Sequence, residues 1–321
     1  MIIPNFNGEA LIGECLDSLA NQSERDFETI LVDNGSTDQS VKIAEQHPLK
    51  VRLVKLAKNL GFAGAVNAGI DNAGSDLIAL LNNDAEADSK WVENIVSCAE
   101  RNKNADFFAS LVLQYDDRSK IESAGVAYSL QARAKPLFEN ETAANQRLNI
   151  EPFLASGTAV AFRKSLVQKI GKFDPDYFAY LEDIDFFLRG RLAGSIGTLC
   201  PGAIVYHRGA ATELGDQPGP KRMESSRRVY LIARNRWHLI WDNLPAGVII
   251  LLCPLIFFGW LRGLGYHLFK SGQAGSFLAG SFNGFFSLPS RLSKRSAAKK
   301  IRRLKTIDLL SWMKKGFREL P

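Results

Sequence analysis

Three short stretches carry the side chains able to do chemistry: Asp33-Asn34-Gly35-Ser36, Asn82-Asn83-Asp84 and Glu182-Asp183-Ile184-Asp185. The first two each follow an apolar run, Leu31-Val32 and Ile78-Ala79-Leu80-Leu81. That is how a buried parallel strand delivers polar groups to the C-terminal edge of a sheet, where open α/β folds bind their ligands. An Asp beside Asn at such a strand end is a hard-oxygen set suited to Mg2+ or Mn2+ bridging a diphosphate. The third stretch is a separate carboxylate cluster that follows Tyr177-Phe178-Ala179-Tyr180. Like-charge crowding against an apolar wall raises at least one carboxyl pKa, as proton abstraction requires. Together the three imply sugar-nucleotide chemistry.

Each stretch also has a plainer use. Ser36 and Asp38 are good caps for a helix starting near Thr37, with Asp33 and Asn34 in the turn before it. Asn82-Asn83-Asp84 can be an ordinary turn, with Asp84 or Asp88 capping a helix at Lys90. Acids in a first helical turn are favoured by the helix dipole, which accounts for one or two but less readily for three in four residues. The run from Asn59 through Gly61, Gly64 and Asn67 to Gly69 opens a helix whose backbone N–H groups can face phosphate, although close packing also selects small residues there. His207 ends an apolar strand before Arg208-Gly209 and reads either as a metal or diphosphate contact or as a structural histidine.

To position these groups the chain must form an α/β fold. Period and punctuation predict strands near Ile2-Ile3, Glu28–Val32, Arg52–Leu56, Leu77–Leu81 and Asp106–Leu113, alternating with helices over Ala10–Ala20, Thr37–Glu45, Ala63–Asn72 and Lys90–Arg101. The signal weakens from Gln114 to Glu151 into a variable loop around a strand at Gly125–Ser129. An apolar segment Phe153–Phe162, a short helix Lys164–Ile170, a helix Glu182–Ala193 and a strand Gly202–His207 follow. The catalytic domain is placed at residues 1–236 and a membrane-associated helical region with a basic tail at 237–321. No secretory signal is expected ahead of the first strand, which lacks a residue or two.

Charge is uneven. Between Arg291 and Arg318 there are eleven Lys or Arg against one Asp, so the excess behind the net +6 sits at the end of the chain. No nucleic-acid module accompanies it, and an anionic membrane surface is the expected partner. Leu244–Leu261 is eighteen uncharged residues containing Pro245 and Pro254, just within the range of about 17–25 for a spanning helix. A single span would put the basic tail across the membrane from the catalytic domain, against the positive-inside tendency. A re-entrant or in-plane helical pair, Gly247–Leu261 and Leu264–Leu288, is therefore expected on the cytoplasmic face of a bacterial inner membrane. Cys15, Cys98, Cys200 and Cys253 show no metal spacing and read as buried or free thiols in a reducing compartment.

In this order the motifs resemble the inverting GT-A glycosyltransferases of family 2, and within them the rhamnosyltransferase-like group. The matching elements are Ile3-Pro4-Asn5-Phe6-Asn7, Val32 to Asp38, Asn59 to Ala63, Leu81 to Asp84, Gly157-Thr158, Phe178 to Asp185 and Tyr206-His207, covering about residues 2–236. The resemblance implies a Rossmann-like mixed sheet with helices on both faces, a nucleotide-sugar donor, a divalent metal and inversion at the anomeric carbon. Pro4, Asn5, Asp33, Asn34, Asn59, Gly61, Asn67, Asn82 and Asn83 would line the donor site, with Asp33 on the nucleobase or ribose. Asp84 would hold the metal and diphosphate, completed by His207. Asp183 would be the general base, with Glu182 and Asp185 orienting it or the acceptor, a glycan or lipid-linked hydroxyl. A polyprenyl-phosphate glycosyltransferase, whose phosphate acceptor needs no base, and a sugar nucleotidyltransferase are the alternatives. The oligomeric state is left open.

Overall fold

The computed structural model describes residues 1–145, 148, 150–209 and 225–318. Its frame follows from the strand sequences. In β1 (Ile2–Asn5), β2 (Ile30–Asp33) and β6 (Phe107–Gln114) adjacent residues are apolar, and successive side chains of a strand point to opposite faces. Ile2, Ile30, Val32 and Phe107 accordingly enter one core, while Ile3, Leu31 and Phe108 enter another. Strands apolar on both faces need cover on both, and helices supply it. α1 (Ile12–Ala20), α2 (Ser40–Gln46) and α4 (Trp91–Arg101) contribute to one core; α3 (Gly61–Asn72), α5 (Lys164–Ile170) and α6 (Glu182–Leu192) contribute to the other.

The sheet is mixed. β3 (Arg52–Lys55), β2, β1 and β4 (Leu77–Leu81) lie side by side and parallel. β10 (Ala159–Arg163) runs antiparallel between β4 and β6. β11 (Gly197–His207) is parallel to β6 and antiparallel to β5 (Ala85–Ala87) at the edge. β7 (Ile121–Ser123) pairs with β6, and β8 (Val126–Tyr128) with β9 (Ala134–Pro136) forms a separate ribbon. The chain steps from β1 to β2 on one side, while β4 lies on the other. A crevice therefore opens beyond the C-terminal ends of β1, β2 and β4, the usual ligand position in such sheets.

α7 (Ser226–Asn243) runs through residue 236, where the sequence places a domain boundary. α8 (Ala246–Phe269), α9 (Ala274–Phe286), α10 (Leu288–Ile301) and α11 (Thr306–Arg318) follow. Val248 and Leu252 of α8 and Leu309 and Met313 of α11 join the same core as Phe107 and Phe186, so these helices are built onto the sheet. α9 crosses α7 at van der Waals contact. A Cβ on Gly280 would stand 2.2 Å from the Tyr230 carbonyl oxygen, and one on Gly284 would stand 2.4 Å from that of Arg234. The expected break after Leu261 is absent. Gly263 packs on Phe277, and α8 continues to Phe269. Among the described residues α8 alone is long and apolar enough to cross a membrane, by length and composition.

Two further expectations are corrected. Cys98 of α4 and Cys200 of β11 form a disulfide, because the fold lays α4 on β11 although 102 residues separate the pair; Cys15 and Cys253 are free. The basic segment is not all solvated tail. Arg291 is 2 % exposed and ion-pairs with Asp174, Asp176 and Asp242, binding α10 to the catalytic layer.

Candidate active site

The sheet edge is cross-linked by its own polar residues. Asn5 ends β1 and Asn83 follows β4; the Asn83 Nδ2 donates to Asn5 Oδ1 at 2.8 Å, and Asn5 Nδ2 donates to Ser40 Oγ at 3.0 Å. Pro4 lies beneath them in β1, paired with Val32. Asp33 at the end of β2 is buried and accepts from the Ser36 N–H at 3.1 Å, leaving further lone pairs for a ligand. Asn34 works through another segment. Its Oδ1 accepts from Leu60 N–H at 2.8 Å, and its Nδ2 donates to Asn59 Oδ1 at 3.0 Å and to the Gly61 carbonyl at 3.1 Å. Asn34 and Asn59 thus shape the glycine loop with their amide groups. Asn67 is placed elsewhere, spending its amide on both backbone groups of Phe173, at 2.8 and 3.0 Å. In this state its amide staples α3 to the segment before α6.

The ends of β4 and β11 meet. His207 Nε2 lies 3.1 Å from Asp84 Oδ1, and His207 Nδ1 lies 2.7 Å from Glu122 Oε1 on β7. Burial alone would lower the imidazole pKa, but the two carboxylates overcome it and push it up to about 10. Glu122 carries no motif and sits in the weak stretch of the sequence, where no periodicity marks it. Asn82, two residues before Asp84, has a buried Oδ1 with no hydrogen-bond partner. Among the described residues no group of three or more His, Cys, Asp or Glu side chains is arranged to hold a metal alone. Mg2+ characteristically takes one or two protein carboxylates and completes its shell with phosphate and water. A carboxylate and an orphaned amide oxygen fit that pattern, and His207, oriented by a second carboxylate, would join them once a bound cation displaced its proton.

The acidic motif reaches this edge through β10. Asn82 N–H donates to the Thr158 carbonyl at 2.9 Å, and the adjacent Gly157 N–H donates to Asp183 Oδ2 at 2.7 Å. Asp183 Oδ1 accepts from Ile184 N–H at 2.7 Å. Burial raises the pKa of Asp183, partly offset by these N–H donors. Burial followed by the charge of Asp183 pushes Glu182 well above the usual carboxylate range, and its Oε2 is buried without a partner. The donors on Asp183 favour ionisation there and a proton on Glu182. Asp183 also keeps partial exposure, while Glu182 and Asp185 are buried. Asp185 is otherwise engaged: Arg189 Nε and Asn243 Nδ2 each donate to it at 2.8 Å. These bonds tie α6 to α7.

The segment before α6 is strained and clamped. Phe178, Tyr180 and Leu181 all have positive φ, which non-glycine residues rarely adopt. Asn235 of α7, fully buried, directs its Nδ2 at the carbonyls of Tyr177, Ala179 and Tyr180 at 3.0, 2.9 and 2.7 Å. Arg234 donates to the carbonyls of Asp176 and Tyr177, both at 2.9 Å. On the opposite side Gly61, at φ 76°, lies so close to Phe178 that a Cβ would stand 2.2 Å from its carbonyl oxygen. The glycine loop therefore buttresses the acidic segment. Sequence reasoning missed Asn235; its one signal was an uncharged amide amid the basic and aromatic residues of α7.

Comparison with known proteins gives the family and the fold. Residues 1–171 match the family model "Glycosyl transferase family 2". The chain is 28% identical over 253 residues, 72% of its length and 81% of the relative's, to the N-acetylglucosaminyl-diphospho-decaprenol L-rhamnosyltransferase of Mycobacterium tuberculosis. It superposes on S. aureus TarS in complex with UDP-GlcNAc with a TM-score of 0.58, covering 99% of this chain and 90% of that one at 19% identity. It superposes on the mannosyltransferase PcManGT of Pyrobaculum calidifontis, in complex with GDP-Man and Mn2+, with a TM-score of 0.54, covering 93% and 85% at 18% identity. The fold is GT-A, and the chain belongs to glycosyltransferase family 2 as a glycosyltransferase.

Proposed function

We propose that the protein is a metal-dependent, inverting glycosyltransferase that moves a sugar from a nucleoside-diphosphate donor to a hydroxyl of a glycan or lipid-linked acceptor. Bacterial cell-surface polysaccharide is the product class, and dTDP-rhamnose is the first donor to test, given the rhamnosyltransferase relative. The observation that carries the reading is the placement of Asp183. Its carboxylate, held by two backbone N–H groups, is joined through Gly157-Thr158 to the strand end that bears Asp84.

In this reading Asp33 binds the nucleobase or ribose at the end of β2. Asp84, Asn82 and, after losing its proton, His207 would hold a Mg2+ or Mn2+ ion, which would supply positive charge to the departing diphosphate. Glu122 fixes the imidazole orientation. Asp183 removes the proton of the acceptor hydroxyl as its oxygen bonds to the anomeric carbon. The bond to the diphosphate oxygen breaks on the opposite face, and its electron pair leaves with the nucleoside diphosphate. Glu182, protonated beside it, keeps the second acid neutral.

In the same reading the enzyme works at the cytoplasmic face of the inner membrane, and the exposed side chains of α8 and α9 support it. Ile250, Phe257, Phe258 and Phe269 of α8 and Phe286 of α9 are exposed, more apolar surface than a soluble face carries by chance. Incubating purified protein with a panel of dTDP-, UDP- and GDP-sugars, an acceptor and either Mn2+ or excess chelator tests the whole reading. Metal-dependent release of nucleoside diphosphate is expected. Release of pyrophosphate, or full turnover in chelator, rejects it.

A further inference from the structure

We propose that Arg227 and Arg228, in the first turn of α7, form a binding site for the phosphate of a phosphate-linked lipid acceptor, distinct from the donor diphosphate site at Asp84. The proposal rests on the transferase reading and specifies its acceptor.

The geometry has three parts. First, the two guanidinium groups lie on the aromatic run that precedes the base. Arg227 stands 4.8 Å from the centroid of the Phe178 ring and Arg228 stands 5.3 Å from that of Tyr180. Both rings belong to the segment that leads into Glu182-Asp183. A guanidinium resting on a ring keeps its edge N–H groups for an anion, and Arg fits phosphate oxygens in pairs.

Second, this charge is unspent. Among the described residues neither side chain has an ion-pair partner, and Arg228 Nε is buried with no acceptor. A buried donor on a cation left without a partner is costly, and a phosphate oxygen would relieve that cost. Arg291 of the same helical region shows the contrast, since three internal carboxylates take its charge. The Ser225 side chain caps α7 through Arg228 N–H at 3.1 Å, and the remaining first-turn N–H groups add to the attraction for an anion.

Third, the site lies between the base and the apolar surface. Ser226 Oγ donates to Gln273 Oε1 at 2.7 Å, fixing the first turn of α7 to the connection between α8 and α9. That connection follows Phe269, which is 83% exposed. A lipid-linked acceptor carries its phosphate between an apolar tail and a sugar. With the tail on the α8–α9 face and the sugar hydroxyl at Asp183, the phosphate falls at Arg227 and Arg228. The name of the mycobacterial relative specifies an acceptor of that chemistry, a sugar on a diphospho-lipid.

The test uses the full chain and two readouts. One is sedimentation with phosphatidylcholine vesicles carrying a few mole per cent of undecaprenyl diphosphate, against vesicles matched in charge with phosphatidylserine. The other is binding of UDP and dTDP in solution. The parent protein should prefer the diphosphate lipid about tenfold, the contribution of one good charge-assisted hydrogen bond. Arg227→Gln, an exposed position safe for folding, should lose most of that preference, and Arg227→Gln with Arg228→Gln all of it. Nucleotide affinity should stay unchanged in both. Equal affinity of the parent for both vesicles, or a preference kept by the double variant, overturns the site. A parallel loss of nucleotide affinity overturns it too, by assigning these arginines to the donor. Failure of the parent to bind any nucleotide instead overturns the transferase reading.

Discussion

The two walls of the cleft are held by different means. At the sheet edge, Asp33, Asn83 and Asp84 stand directly after strands, and short contacts among neighbours fix them: Asn5 to Asn83, Asp84 to His207. On the α6 wall, Asp183 follows a segment with three positive-φ residues, held from outside by Asn235, more than fifty residues along the chain. Strand pairing already defines the first wall. The second depends on α7, which α9 and α10 in turn hold in place. Substitutions at the sheet edge should therefore act locally, whereas the α6 wall should respond to changes made far from it.

The largest effect expected from this contrast is at the sheet edge. Asp84→Ala removes the only carboxylate of the Asn82-Asn83-Asp84 turn and should lower kcat by about 10²–10³, the scale for losing one electrostatic contact to a transition state. Mn2+ affinity, measured by titration with nucleotide present, should fall with it. Unchanged Mn2+ affinity would move the cation away from the β4 end.

Asn235→Ala sharpens the other side of the comparison. The residue touches no substrate, so its effect should come through the Tyr177–Tyr180 carbonyls that it holds. A misplaced base costs up to about 10²-fold in rate. Nucleotide Kd should move little, since Asp33 ends a paired strand and Asp84 is held by His207 rather than by α7. If Kd and kcat worsen together, the two walls are one structural unit and the distinction fails.

Sequence legibility divides along the same line. Leu77–Leu81 and Lys164–Ile170 match the observed elements because apolar period and punctuation are local signals. Asn82, Asp84 and His207 stood out because each ends an apolar strand. Asp185 did not betray its structural use, since its partners Arg189 and Asn243 are brought to it by tertiary packing. Glu122 was invisible for the same reason, reaching His207 only after β7 pairs with β6. The Cys98–Cys200 bridge and the burial of Arg291 are equally non-local. Composition described a basic tail, and only the fold shows one of its arginines spent on three aspartates.

Arg291→Met tests how far the α6 wall leans on its helices, with a smaller expected effect on rate. Removing one partner of a buried ion pair costs about 3–5 kcal/mol, and Asp242 stays buried and Asp174 largely so without Arg291. The denaturation midpoint should drop, while the kcat of the remaining folded protein falls only modestly. A chain ending at Asp242 loses this arginine and should be less stable than the full chain. An unchanged midpoint would mean that α10 contributes little to the wall.

The central claim is that Asp183 is the base, and kcat of Asp183→Asn measured beside nucleotide Kd tests it most directly. Both oxygens of Asp183 accept backbone N–H groups, so one N–H will face the new amide, and a thermal melt should accompany the kinetics to show that the fold is kept. Burial raises the pKa of Asp183, and a base works only when deprotonated. In the parent, kcat should therefore climb with pH through a value above the ordinary aspartate range and be lost below it. The variant should keep its nucleotide Kd, lose about 10²–10⁴-fold in kcat and lose that acid limb. Weakened nucleotide binding with unchanged kcat would contradict the account by placing Asp183 on the donor side of the cleft.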